Sequence, residues 1–130
     1  MKTAIRRVLV VDDDPVMQRL YRRALRDREF ELVVASSGPA ALALLDDGFS
    51  VIVTDYNMPQ MDGLAFIREV RARGVGTPVV LASADFDPSE IARGMPPGVI
   101  ATLKKPFLIT DLLSAIRMAP ICPCSGSGTQ

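Results

Sequence analysis

The chain contains no histidine and no tryptophan, has only two cysteines, and carries no excess of either charge, since Lys plus Arg and Asp plus Glu both number 15. A structural zinc site takes about four ligands. With no histidine, and with both cysteines (Cys122 and Cys124) in the tail "PICPCSGSGTQ", such a site could form only between molecules. That tail is dense in Pro, Ser and Gly and has no periodic pattern, so residues 120–130 are expected to be disordered. Balanced charge removes the global basic excess that follows a phosphate backbone, and direct nucleic-acid binding would then need a local patch. The one candidate is Arg19, Arg22, Arg23, Arg26 and Arg28, whose helical spacing fits a solvated helix face better. No apolar run approaches the roughly 18 residues of a membrane span, and "MKTAIRRVLVV" passes into a strand without a secretory cleavage pattern. No membrane insertion and a cytoplasmic location are expected. At 130 residues and 48% hydrophobic content, the chain suits one domain with a real core and is short for two.

Within that domain, short apolar runs alternate with amphipathic stretches. "VLVV" (8–11), "LVVA" (32–35), "VIVT" (51–54), "VVLA" (79–82) and "VIATL" (99–103) are rich in β-branched residues and nearly continuous. Such continuity marks strands buried on both faces, hence a parallel sheet covered by helices. A first helix is expected with Asp14 as N-cap, Pro15 at its first position and an apolar face of Val16, Met17, Leu20, Ala24 and Leu25. A second spans about Pro39 to Asp46 and stops at Gly48. A third, capped by Asp62, covers roughly Gly63 to Arg73 on a Leu64, Ile67, Val70 stripe. Another begins at Asp87, which pairs with Glu90 around Pro88 in the manner of a capping box, and the last covers about Ile109 to Met118. Strict alternation predicts an α/β doubly wound five-stranded parallel sheet of order 2-1-3-4-5, with helices on both faces. In such sheets ligands bind beyond the carboxyl ends of the strands, at the switch point between strands 1 and 3.

The polar residues gather at that edge. Asp12 and Asp13 follow strand 1, Asp55 follows strand 3, Ser83 ends strand 4 and Lys105 follows strand 5. Two carboxylates about 4 Å apart repel by roughly 4 kcal/mol at an effective dielectric of about 20. A cluster of three therefore calls for a cation, and hard oxygen ligands with open positions suit Mg²⁺. Each residue also has a plainer explanation. Acid runs after strands often serve as N-caps, as Asp14 does before Pro15; Ser83 could be an ordinary loop serine, and Lys105 a surface lysine with an apolar stem. Their shared position at one sheet edge favours the metal reading.

The segments "VLVVDDDP", "VIVTDYNMPQMDG", "VVLASAD" and "LKKPF", in this order and spacing, resemble the receiver domain of two-component response regulators over residues 5–119. The resemblance implies a flavodoxin-like fold in which Asp55 accepts a phosphoryl group from a phosphohistidine of a sensor histidine kinase or phosphotransfer protein, or from small donors such as acetyl phosphate. It implies Mg²⁺ held by Asp13, Asp55 and the main-chain carbonyl of Asn57, with Asp12 acting directly or through a metal-bound water. Lys105 would pair with the phosphoryl oxygens, Ser83 would donate its hydroxyl to them, and Lys105–Pro106 would be cis. The phosphorylated state would then alter binding to a downstream protein, with no turnover beyond self-phosphorylation and autodephosphorylation. Asn57 and Asp85 match positions that influence attack by water, so spontaneous loss of the phosphoryl group is expected.

This chain also departs from the family pattern. Three positions before the lysine, where an aromatic switch residue is common, it has Thr102, and Gly94, Pro96, Pro97 and Gly98 crowd the end of the helix beginning at Asp87. One alternative is therefore a receiver-fold interaction module with little or no phosphorylation-driven switching. Another is a phosphohydrolase of the haloacid-dehalogenase type, which uses an aspartyl nucleophile and Mg²⁺ but needs a second acid two residues later, where this chain has Asn57. Residues 120–130 are too few for an effector domain, so output through protein contacts is expected, from either a stand-alone receiver or a fragment of a larger protein.

Overall fold

A computed structural model describes residues 5–84 and 95–119. Five strands, β1 (Arg6–Val11), β2 (Phe30–Ala35), β3 (Val51–Asp55), β4 (Val79–Ser83) and β5 (Val99–Lys104), form one sheet of order β2-β1-β3-β4-β5 in which every neighbouring pair is parallel. The helices are α1 (Pro15–Ala24), α2 (Gly38–Leu42), α3 (Gly63–Ala72) and α4 (Ile109–Arg117), with a 3₁₀ turn at Leu45–Asp47. The expected helix at Asp87 lies outside the described residues, as do Asp85 and the cysteine-bearing tail. Among the described residues no helix is long and apolar enough to cross a membrane.

The strands alternate between two cores. Leu9 and Val11 of β1 pack with Ala41 and Leu42 of α2 and with Phe66, Ile67 and Val70 of α3, while Val8 and Val10 pack with Tyr21 of α1 and Leu112, Ala115 and Ile116 of α4. Both faces of β1 are thus fully buried, which explains the unbroken apolar run. The two edge strands behave differently. Only Leu103 of β5 is buried, because a strand with a partner on one side alone leaves much of its length to solvent; the expectation of two-sided burial fails there.

Two helices also differ from their expected form. α1 does start with Pro15, and the Asp14 carboxylate accepts from the Val16 N–H at 2.9 Å. Its buried line, however, runs through Tyr21 to Leu25, and Val16 is 61% exposed. Met17 in the first turn already packs against that core, so it is Val16 that lies off the buried line. α2 is shorter than expected. Leu44 N–H bonds the Ala41 carbonyl three residues back, tightening the last turn into the 3₁₀ segment, which ends at Gly48 with φ 77°. Asp62 caps α3 as expected, accepting from Ala65 N–H at 2.8 Å. The five arginines from Arg19 to Arg28 are exposed.

Fully buried Phe66 touches the α2–α3 core throughout. Phe66→Ala should lower unfolding free energy by about 3–5 kcal/mol in urea denaturation, whereas Val16→Ala should shift it by no more than about 0.5 kcal/mol.

Candidate functional site

The sheet's carboxyl edge is built by the parallel register. Val11 lies opposite Thr54, Asp55 opposite Ala82, and Ser83 opposite Lys104, so Asp12, Asp55, Ser83 and Lys105 arrive at one rim. Main-chain bonds continue past the strands and hold these residues: Asp12 N–H donates to the Ala35 carbonyl at 3.1 Å and Lys105 N–H to the Ser83 carbonyl at 2.8 Å. The Lys105–Pro106 peptide is cis.

At this rim the three successive aspartates separate. Asp14 caps α1. Asp12 is fully buried, with Oδ1 accepting from Asp14 N–H at 2.9 Å and Oδ2 accepting from the Lys105 Nζ at 3.0 Å. Asp13 is exposed. The same Lys105 ammonium lies 3.1 Å from Asp55 Oδ1. One carboxylate oxygen each from Asp12, Asp13 and Asp55 lie within 4.8 Å of one another. Three negative charges against one ammonium leave two uncompensated, which is the charge of one divalent cation.

Electrostatics follow from this crowding. Burial pushes the Asp55 carboxyl above the usual carboxylate range; Lys105 pulls it down, Asp12 pushes it up, and the upward pressure prevails although the Asn57 N–H also bonds it. Burial alone would lower the Lys105 ammonium, but its bonds to Asp12 and Asp55 and their charges outweigh that and hold it above the ordinary lysine range.

Of the residues expected at the site, the structure brings together Asp12, Asp13, Asp55, Asn57, Ser83 and Lys105. Ser83 is fully buried, and its Oγ accepts from Asn57 Nδ2 at 3.2 Å. Thr102 does not join them. It is exposed on β5 and lines, with Lys104, Phe107 and Met118, a groove of about 480 Å³ between β5 and α4.

Three further residues support the site without having been assigned a role there from the sequence. Gln18 Nε2 donates to the Asp12 carbonyl at 2.8 Å and to Ser36 Oγ at 3.2 Å, tying the start of α1 to the end of β2. Tyr21 is fully buried, 6.1 Å from the Phe107 ring, and its hydroxyl has no hydrogen-bond partner among the described residues. Burial, reinforced by the charges of Asp12 and Asp55, raises its phenol far above the ordinary tyrosine range. Gly63 starts α3 against the strand bearing Asp55: a Cβ there would sit 2.6 Å from the Asp55 carbonyl oxygen and 2.9 Å from Tyr56 Cα, while its N–H donates to the Tyr56 carbonyl at 2.7 Å. The spacing of Met17, Tyr21 and Leu25 could have revealed Tyr21; nothing local could have revealed Gln18.

A parallel five-stranded sheet with three carboxylates and one ammonium at its switch point defines a doubly wound α/β protein with an acidic ligand edge. Residues 8–117 match the family model of the response regulator receiver domain, and the chain belongs to that family. It is 34% identical over 125 residues to the response regulator MprA of Mycolicibacterium vanbaalenii, covering 94% of this chain and 54% of that protein. It is also 34% identical over 112 residues to the transcriptional regulatory protein TrcR of Mycobacterium tuberculosis, covering 85% of this chain and 44% of TrcR. The chain thus spans about half the length of these two relatives. Among solved structures, the chemotaxis protein CheY4 of Vibrio cholerae superposes with a TM-score of 0.81 at 31% identity, covering 90% of this chain and 100% of that one. The receiver domain of the Francisella response regulator 1452 gives 0.79 at 30%, covering 87% and 94%.

Two predictions follow from the geometry of the site. An acid whose folded-state pKa is raised binds more protons folded than unfolded, so its contribution to stability is lost as pH rises through that pKa. Asp55→Asn should therefore raise the melting temperature of the protein in chelator at pH 7 and reduce its decline from acid to neutral pH; an unchanged or lower value at pH 7 would contradict the analysis. Gly63→Ala should cost about 1–3 kcal/mol in urea unfolding, because the contacts a Cβ would meet are mainly backbone.

Proposed function

We propose that Asp55 is the phosphoacceptor of a phosphorylation-dependent signalling switch, served by a sensor histidine kinase or phosphotransfer protein. The observation that carries this reading is the Asp55 carboxylate held 3.1 Å from the Lys105 ammonium beside the carboxylates of Asp12 and Asp13. The donor set is all oxygen, its net charge suits a divalent ion, and Asp13 leaves it open to solvent, which fits Mg²⁺. Asp12, Asp13, Asp55 and the Asn57 carbonyl would hold that ion, which when bound neutralises charge on the phosphoryl oxygens.

The chain's own residues then perform the transfer. An Asp55 oxygen attacks phosphorus in line with the bond to the leaving group; the new O–P bond makes an acyl phosphate, and the old bond's electron pair departs with the imidazole or acetate. Phosphoryl transfer has a loose transition state with charge on the equatorial oxygens, so positioning and electrostatics supply most of the acceleration. Lys105 offsets that charge from a fixed place, because two carboxylates and a main-chain bond already orient it. Ser83, now accepting from Asn57, would turn its hydroxyl to the phosphate and move inward. That displacement is the switch that alters binding to a downstream protein.

Thr102 supports a second reading, in which phosphorylation occurs with little conformational response. Exposed and small, it offers no aromatic ring to move inward when Ser83 shifts.

Intact-mass analysis after incubation with acetyl phosphate and Mg²⁺ tests the chemistry. The wild type should gain one phosphoryl group, and Asp55→Asn or excess chelator should each abolish the gain. A phosphoryl group that still forms on Asp55→Asn would overturn the assignment.

A further inference from the structure

The Tyr21 hydroxyl is a buried donor that nothing in the described structure uses. Its side chain is fully withdrawn from solvent, and the hydroxyl has no hydrogen-bond partner among the described residues. A buried polar group without a bond is destabilising, and a phenylalanine would fill nearly the same space without that cost. The hydroxyl therefore calls for a use in another state of the protein.

Its surroundings point to that state. Tyr21 packs on the sheet face formed by Val8 and Val10 of β1 and Val51 and Val53 of β3. The two-residue period of the strands carries that face on to Asp12 and Asp55, which stand level at the rim. Burial and the charges of these two acids keep the phenol protonated far above neutral pH, so the group stays a donor near two acceptors. Its ring lies 6.1 Å from that of Phe107, two residues past Lys105, so α1 packs against the segment that carries the ammonium.

Asp12 is the acceptor whose bonding is most exposed to change. Its Oδ1 is held by Asp14 N–H at 2.9 Å, but its Oδ2 depends on the Lys105 Nζ at 3.0 Å. When Asp55 is phosphorylated, the reading on which this inference rests, Lys105 turns toward the phosphoryl oxygens. A carboxylate that is fully buried then loses one of its donors.

We propose that Tyr21 is a positioning residue for the phosphorylated state, its hydroxyl donating to Asp12 Oδ2 when Lys105 withdraws toward the phosphoryl group. The hydroxyl bonds nothing in the present structure, so the new bond comes with a shift of the Tyr21 ring against Phe107. The same hydroxyl is thus unfavourable in the free protein and favourable in the phosphorylated one, and a group of that kind biases the chain toward the second state. The rival donor is a water entering from the rim, which would leave Tyr21 without a part.

Tyr21→Phe keeps the ring, deletes the hydroxyl and tests the proposal. In chelator the variant should melt at the wild-type temperature or above it. With Mg²⁺ it should bind beryllofluoride, a mimic of the phosphoryl group, about fivefold more weakly than the wild type, the effect of one lost hydrogen bond. In wild-type protein labelled with ¹³C at tyrosine Cζ, the resonance that Tyr21→Phe lacks should move on adding beryllofluoride and Mg²⁺. A lower melting temperature of Tyr21→Phe in chelator would show a bond already made in the free protein, and an unchanged beryllofluoride affinity or a stationary Cζ resonance would show that water serves Asp12. Each of these overturns the role of Tyr21 and leaves Asp55 as the acceptor, whereas a wild type that fails to bind beryllofluoride overturns both.

Discussion

The Lys105 ammonium touches two carboxylates from different strands, Asp12 Oδ2 at 3.0 Å and Asp55 Oδ1 at 3.1 Å, and the sheet's carboxyl rim depends on this double contact. Both acids are almost wholly withdrawn from water. An ionised group in that position is tolerated only when paired, and removing the shared ammonium would leave both acids uncompensated at a cost of about 3–5 kcal/mol. The lysine therefore has a structural role before it has a chemical one. Its own placement comes from the backbone: the β4–β5 ladder runs to Ser83 and Lys104, and one more main-chain bond fixes Lys105. A slip of one residue in that ladder would turn the ammonium to the other face.

Aspartate does four jobs within a short radius. Asp14 and Asp62 satisfy helix N–H groups, Asp12 is a buried counter-ion, Asp13 faces solvent, and Asp55 meets the ammonium. Composition alone cannot separate these jobs, because the same carboxylate is a cap, a ligand or a nucleophile according to what the backbone points it at. Helix starts supply part of the pointing. α1 and α3 begin immediately beyond Asp14 and Asp62, and their caps hold the loops after β1 and β3 so that Asp12 and Asp55 turn toward each other.

Much of this was legible in the sequence, for a physical reason. A strand buried on both faces must be apolar at nearly every position, so β1, β3 and β4 announce themselves as runs, and a polar residue at the end of each run marks the one rim where polar groups can gather. The position of Asp12, Asp55, Ser83 and Lys105 followed from that. What stayed hidden depended on neighbours distant in the chain. The partial exposure of β5 reflects its single neighbour, Tyr21 reads as an ordinary aromatic until its place against Phe107 is known, and Gln18 matters only because Ser36 and the Asp12 carbonyl converge on its amide. The exposure of Val16 escaped for a related reason: helical periodicity says which residues share a face and not which of those at its margin meet the sheet.

Lys105 lies 93 residues beyond Asp12. The pocket is therefore among the most non-local features of the molecule, and closing so long a loop is repaid only once the strands between are paired. A ribosome must deliver β5 before the rim acquires its counter-ion, so a nascent chain ending at β4 would hold its acids together unrelieved. The charge balance of the rim thus arrives only with completion of the sheet.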